Sequence, residues 1–205
     1  MRRDQVLRWG GVASGVVLVA FGVVVIVLAI NGHKTVTDEL KQQQITGTPD
    51  MTPTGIKAEV AGQSWAKDVT LPTCSVAGQS VDTGTEARCF AEYMRIHALE
   101  ATGGLVYSQM GQFTAKPDTP KSELTPDGAT SNAKYAVTDP KTNAPVSNPA
   151  RNVWITETAL STALNTSYMA TQLSLFSLVV GIALVLAGIG FAVLALGGTR
   201  RGDAA

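Results

Sequence analysis

The stretch WGGVASGVVLVAFGVVVIVLAI, from Trp9 to Ile30, decides the fold class of this chain. It has 22 residues and no charged side chain. A helix needs about 20 apolar residues to cross the hydrocarbon layer of a bilayer. The run is rich in Val and Ile, which are mediocre helix formers in water. In lipid every backbone amide must be satisfied inside its own segment, and helix prevails. A secretory signal has a shorter apolar region of about 7–15 residues, so this run reads as an uncleaved anchor. A second uncharged run, LSLFSLVVGIALVLAGIGFAVLAL, covers the 24 residues from Leu173 to Leu196. The expected framework is therefore two transmembrane helices, at 9–30 and 173–196.

Charge at the flanks gives the expected orientation. Arg2, Arg3 and Arg8 precede the first run, and Arg200 and Arg201 follow the second. The inner flanks carry only Lys34 and Lys41 nearby. Positive residues favour the cytoplasmic side. Both segments 1–8 and 197–205 are thus expected in the cytoplasm, with residues 31–172 outside a plasma membrane. Trp9 stands where an interfacial aromatic anchor belongs. Each run also carries small residues along one face: Gly11, Gly15, Gly22 and Ala29 in the first, Ser177, Gly181, Gly188 and Ala195 in the second. Small residues let helices approach closely in lipid. Glycine is common in membrane helices in any case; beyond that, the stripes suit packing of the two spans on each other, contact with a partner membrane protein, or a homo-oligomer.

Between the runs lies a different composition. Beyond Ile30, Val36 and Leu40 suit a short amphipathic continuation of the first helix, with Gly47 and Pro49 as its stop. A brief helix is expected from MTPTGIKAEVAG, capped by Thr52 and led by Pro53. The strongest soluble helix follows Thr83, which has capping-box spacing to Glu86. It places Phe90, Met94, His97 and Ala101 on one face, and Arg88, Glu92 and Arg95 on another. The segment LVYSQMGQF is expected to resume that helix. Residues 31–113 read as a helical extracytoplasmic domain. Residues 114–149 hold six of the nine prolines and read as a flexible, solvated loop. Residues 150–172 lead into the second run with no breaker. The expected fold is mainly α: an antiparallel transmembrane hairpin with long extramembrane extensions and a small disulfide-stapled helical domain.

Chemistry is sparse. Cys74 and Cys89 are the only cysteines. Outside the cytoplasm they are expected to form a disulfide, since a closed zinc site needs further soft ligands and the spacing is not that of a redox pair. His97 and Glu100, three apart on a helix, could face one metal. Non-haem iron needs two histidines and a carboxylate, and the only other histidine is His33. A haem ligated by His97 and Met110 lacks an attachment motif. The sequence displays no catalytic triad, P-loop or dinucleotide fingerprint, so no cofactor and no catalytic residue is expected. The balanced charge, sixteen basic against sixteen acidic residues, argues against nucleic acid as a partner. The bilayer is the expected one.

The strings PTCSVAGQSVDTGTEARCFAEYMRIHALEATGG and ARNVWITETALSTALNTSYMATQLSLFSLVVGIAL resemble a family of small, uncharacterised two-span membrane proteins from actinobacteria. Some of its members carry the label aromatic ring-opening dioxygenase. The resemblance implies the two-span topology over nearly the whole chain. The residues themselves point to a non-enzymatic accessory or interaction module of the cell envelope, with a sensor or ligand-binding module as the alternative and a metal-dependent enzyme disfavoured.

Overall fold

A computed structural model describes residues 3–197. It contains four α-helices: α1 (Arg3–Gln42), α2 (Pro53–Glu59), α3 (Gly84–Ala101) and α4 (Pro149–Gly197). Short 3-10 turns and isolated β-bridges join them, and no strand occurs among the described residues. The chain divides into two compact units. One joins the residues up to Glu39 with those from Met169, and the other is Leu40–Tyr168. Arg2, Arg200 and Arg201, on which the expected orientation rests, lie outside the described residues, as does the Arg3 side chain.

In the first unit, both apolar runs are helical throughout and long enough to cross a membrane. No proline interrupts either run. Their outward faces are apolar, with Phe21, Leu28, Phe176, Leu186 and Leu194 all more than half exposed. α1 continues without a break past Ile30, and its last turn buries Leu40. It stops at Gln42, ahead of the expected Gly47–Pro49 stop, and Gln44 then takes a left-handed φ of 51°. α4 is a single helix of 49 residues. Pro149 opens it, where a missing N–H is harmless, and the Asn148 side chain accepts from the amide of Ala150 at 3.1 Å.

The second unit is built around α3. Its start has the full capping box: Glu86 N–H donates to the Thr83 hydroxyl at 3.3 Å, and Thr83 N–H donates to the Glu86 carboxylate at 2.9 Å. The core contains Met51, Ile56, Val76, Val81, Tyr93 and Ile96, all fully buried. α2 supplies Ile56, and its cap is Thr52, which accepts from Gly55 N–H at 2.9 Å. Residues 45–51 pair with 76–81 through single backbone bonds, such as Val81 N–H to Ile45 O at 2.9 Å and Val76 N–H to Met51 O at 3.1 Å. A Cβ at Gly47 would lie 2.0 Å from the Val76 carbonyl oxygen, so only glycine fits that crossing.

Two expectations for this unit need correction. The buried side of α3 is set by Ala87, Phe90, Tyr93 and Ile96, whereas Met94 and His97 are half-buried and Ala101 is exposed. Tyr93 and Ile96 sit between the polar positions 92, 95 and 100, so a strip drawn through apolar residues four apart misses them. The helix also does not resume after Ala101. Gly103 and Gly104 both have left-handed φ, at 61° and 83°, and only a 3-10 turn, Tyr107–Gln109, follows. That conformation ends a helix and satisfies its last carbonyls, here with Gly104 N–H donating to Leu99 O at 2.7 Å.

The Pro-rich segment 114–149, expected as a flexible solvated loop, is a hydrogen-bonded coil with its own interior. Phe113 and Thr130 exchange backbone bonds of 2.9 and 3.0 Å, and Val137 N–H donates to Thr114 O at 2.8 Å. Thr130 and Ala136 are fully buried. Prolines deny the segment continuous ladders, but isolated pairs and side-chain acceptors replace them. Asp127 is the main acceptor. Its carboxylate takes bonds from the Thr125 hydroxyl at 2.6 Å, the Asn148 amide at 2.6 Å, and the backbone of Gly111 and Ala129 at 3.3 Å each.

Candidate functional site

The expected helix-packing residues lie in the first unit. Gly15, Gly22 and Ala29 of α1 are buried at seven-residue spacing, as are Gly181 and Gly188 of α4. A Cβ on Gly15 would stand 2.6 Å from the Gly188 carbonyl oxygen, and one on Gly22 would stand 2.7 Å from that of Gly181. A Cβ on Gly11 would meet the Ala195 methyl at 2.8 Å. The backbones thus approach as closely as hydrogen side chains allow. Ser177 is different: it lines a small cavity with Val25, Leu28 and Ala29.

The disulfide is present. Cys74 and Cys89 are bonded, with Cα atoms 6.1 Å apart. Cys89 is buried on α3, and Cys74 lies in the preceding coil. One helical turn beyond Cys89, the Tyr93 hydroxyl donates to the Cys74 carbonyl oxygen at 2.6 Å. The covalent link and this bond hold the same coil residue. Burial, followed by the charges of Asp50 and Glu92, raises the Tyr93 pKa and keeps it a donor.

His97 belongs to a cluster that the sequence did not display. Its Nε2 lies 2.8 Å from an Asp50 carboxylate oxygen and 3.9 Å from one of Glu59. Asp50 sits in the turn before α2, Glu59 at the end of α2, and His97 on α3. The short helix α2 therefore presents acids at both its ends to one imidazole. Burial raises the Asp50 pKa, but bonds from Thr48, its own backbone N–H and His97 outweigh this and hold it below the usual value. Glu59 moves the other way: burial, then the Glu100 carboxyl beside it, push it up. Glu100 thus joins the cluster next to Glu59. His33 belongs to the other unit and lines a cavity with Ala29, Ile30 and Ser174. Met110 is buried.

A cleft between α3 and α4 opens beside His97. It has a volume of about 480 Å³, and its walls include Met94, His97 and Ala101 from α3 and Val153, Thr156 and Glu157 from α4. Glu157 is buried and accepts from the Ser161 hydroxyl at 2.8 Å. Elsewhere the Trp154 indole N–H of α4 donates to the Leu105 carbonyl oxygen, in the turn after α3, at 2.8 Å, and Arg88 of α3 stacks over Tyr168 of α4. Arg95, expected to pair along α3, instead faces the Trp154 ring.

No family model, curated protein or solved structure matches this chain. The residues alone must carry the chemistry. A non-haem iron centre takes two histidines and one carboxylate. The described cluster offers one histidine and several carboxylates, so its donors do not fit that iron set. The signal that could have pointed to Asp50 was weak: an acid just before a capped short helix, 47 residues from its histidine.

Proposed function

We infer that this chain is an integral protein of the cell envelope whose two long helices cross the plasma membrane as an antiparallel hairpin. Both termini face the cytoplasm. Residues 31–172 present a disulfide-stapled helical domain outside, and the protein serves as a non-enzymatic accessory or interaction module. The observation that carries this reading is the first unit. Its helices hold a buried seam of glycines inside and a continuous apolar face outside. Such a surface is costly in water and ordinary in lipid. The disulfide supports the oxidising side for the domain. The resemblance to two-span actinobacterial proteins belongs to the same proposal.

Co-purification in mild detergent tests the role. Recovery of a defined membrane-protein partner, lost when the extracytoplasmic domain is deleted, is the expected outcome. A protein always recovered alone, whose deletion leaves every membrane complex intact, overturns it. The cleft beside His97 favours a second reading, a ligand-binding module signalling through a partner, because its size falls within the usual range for small-molecule pockets. A ligand screen that never moves the melting temperature counts against it.

A further inference from the structure

We propose that Asp50, Glu59 and His97, with Glu100 beside them, bind a divalent cation of the zinc class. The site stands apart from the membrane reading and uses only the second unit. Its ligand atoms come from three places in the fold and all lie within 4.8 Å of one another. A tetrahedral zinc with bonds of about 2.0–2.1 Å spaces its ligands about 3.3 Å apart. The two separations measured from His97 Nε2, 2.8 and 3.9 Å, fall on either side of that spacing.

The donor types are those zinc accepts: one imidazole nitrogen and carboxylate oxygens. The imidazole distinguishes this set from an exposed acidic patch, and from the all-oxygen surroundings of calcium or magnesium. Charge supplies a second reason. Asp50 and Glu59 gather here around a single imidazole, and the Glu100 carboxylate lies beside Glu59. Among the described residues none of the three makes an ion pair with a lysine or arginine. Like charges so placed repel unless a proton or a cation lies between them. Access is open, since the ligand side chains are 26–33% exposed and His97 borders the α3–α4 cleft. The scaffold is fixed, because Ile56 and Ile96, one on each contributing helix, are fully buried.

Full-length, tag-free protein in detergent, stripped with chelator and titrated with zinc chloride, provides the test. Calorimetry and elemental analysis should find one zinc per chain, and the melting temperature should rise with zinc. Replacing His97 with Ala or Glu59 with Gln should weaken binding by more than about tenfold. Asp139→Asn, a change at an exposed carboxylate in another loop, should leave it unchanged. Glu59 is exposed, so Glu59→Gln should fold even if His97→Ala does not; an unchanged helical circular-dichroism spectrum checks this. Absence of stoichiometric zinc overturns the proposal, as does zinc binding that survives Glu59→Gln and His97→Ala undiminished.

Discussion

Cys74 and Cys89 show how two residues can tie a coil to the helix it packs against. The bond closes a 15-residue separation. In the chain-entropy account, a loop of that length adds about 3 kcal/mol by restricting the unfolded chain. The Tyr93 hydroxyl bond to Cys74 keeps the coil near α3 by a separate route. Replacing both cysteines with serine should therefore lower stability by about 3 kcal/mol while leaving α3 in place. Chemical denaturation followed by circular dichroism would measure the loss. An unchanged midpoint would show that the link adds nothing beyond Tyr93. Asp127 gives a second prediction at this scale. Burial raises its pKa, but hydrogen bonds from Thr125, Asn148, Gly111 and Ala129 outweigh that and hold it below the usual carboxylate value. A depressed folded pKa stabilises the fold above the unfolded value, near 3.9, and that stability is lost as pH falls through the folded one. Melting temperature should thus drop more steeply below about pH 4 in the native protein than in Asp127→Asn. Asp127→Asn should already be less stable at neutral pH, by about 1–3 kcal/mol for a carboxylate-centred network. Parallel slopes for the two proteins would remove Asp127 from the acid response.

The elements differ in how much of each was legible from sequence, because their causes act over different distances. Helix caps are local. Thr83 with Glu86, and Thr52 with Pro53, mark their helices within four residues, and both caps occur as read. The apolar runs are local too, since length and lack of charge suffice. The coil between residues 111 and 148 is the opposite case. Its order comes from single bonds between distant residues, such as Thr114 N–H to Val146 O at 2.9 Å, and its prolines mimic the composition of a mobile linker. The cluster at His97 was hidden for the same reason: its acids lie far away along the chain. The helix seam sits between these extremes. Glycine spacing suggested a close contact, and the partner carbonyls at Gly181 and Gly188 now give it a strict size limit. Gly15→Val or Gly188→Val should destabilise the first unit by about 1–3 kcal/mol, the usual cost of overpacking. Ala13→Val, at an exposed position of α1, should cost little. Thermal unfolding in detergent compares the three, and equal losses would dissolve the seam.

At the scale of the whole molecule, helix length constrains how the proposed hairpin can sit in a bilayer. At 1.5 Å per residue, α1 with 40 residues extends about 60 Å and α4 with 49 residues about 73 Å. The hydrocarbon core is about 30 Å thick. In the proposed hairpin each helix would therefore extend beyond the membrane, on the side that the flanking charges favour. In the sequence, Arg2, Arg3 and Arg8 precede the first span and Arg200 and Arg201 follow the second, while Lys34 and Lys41 follow the first. In the proposed topology, which follows the positive-inside rule, the longer polar stretches, with the disulfide and the His97 cluster, are the part assigned to the outside. A cysteine introduced at Lys141, an exposed loop position, should then react with a membrane-impermeant maleimide in intact cells. A cysteine introduced at Gln5, near the start of α1, should react only after the membrane is opened. The native cysteines are joined to each other and do not compete for the label. The reverse pattern would place the domain in the cytoplasm, where a lasting disulfide is not expected. Labelling of both sites in intact cells would mean that the first apolar run does not span the membrane, and the hairpin reading would fall with it.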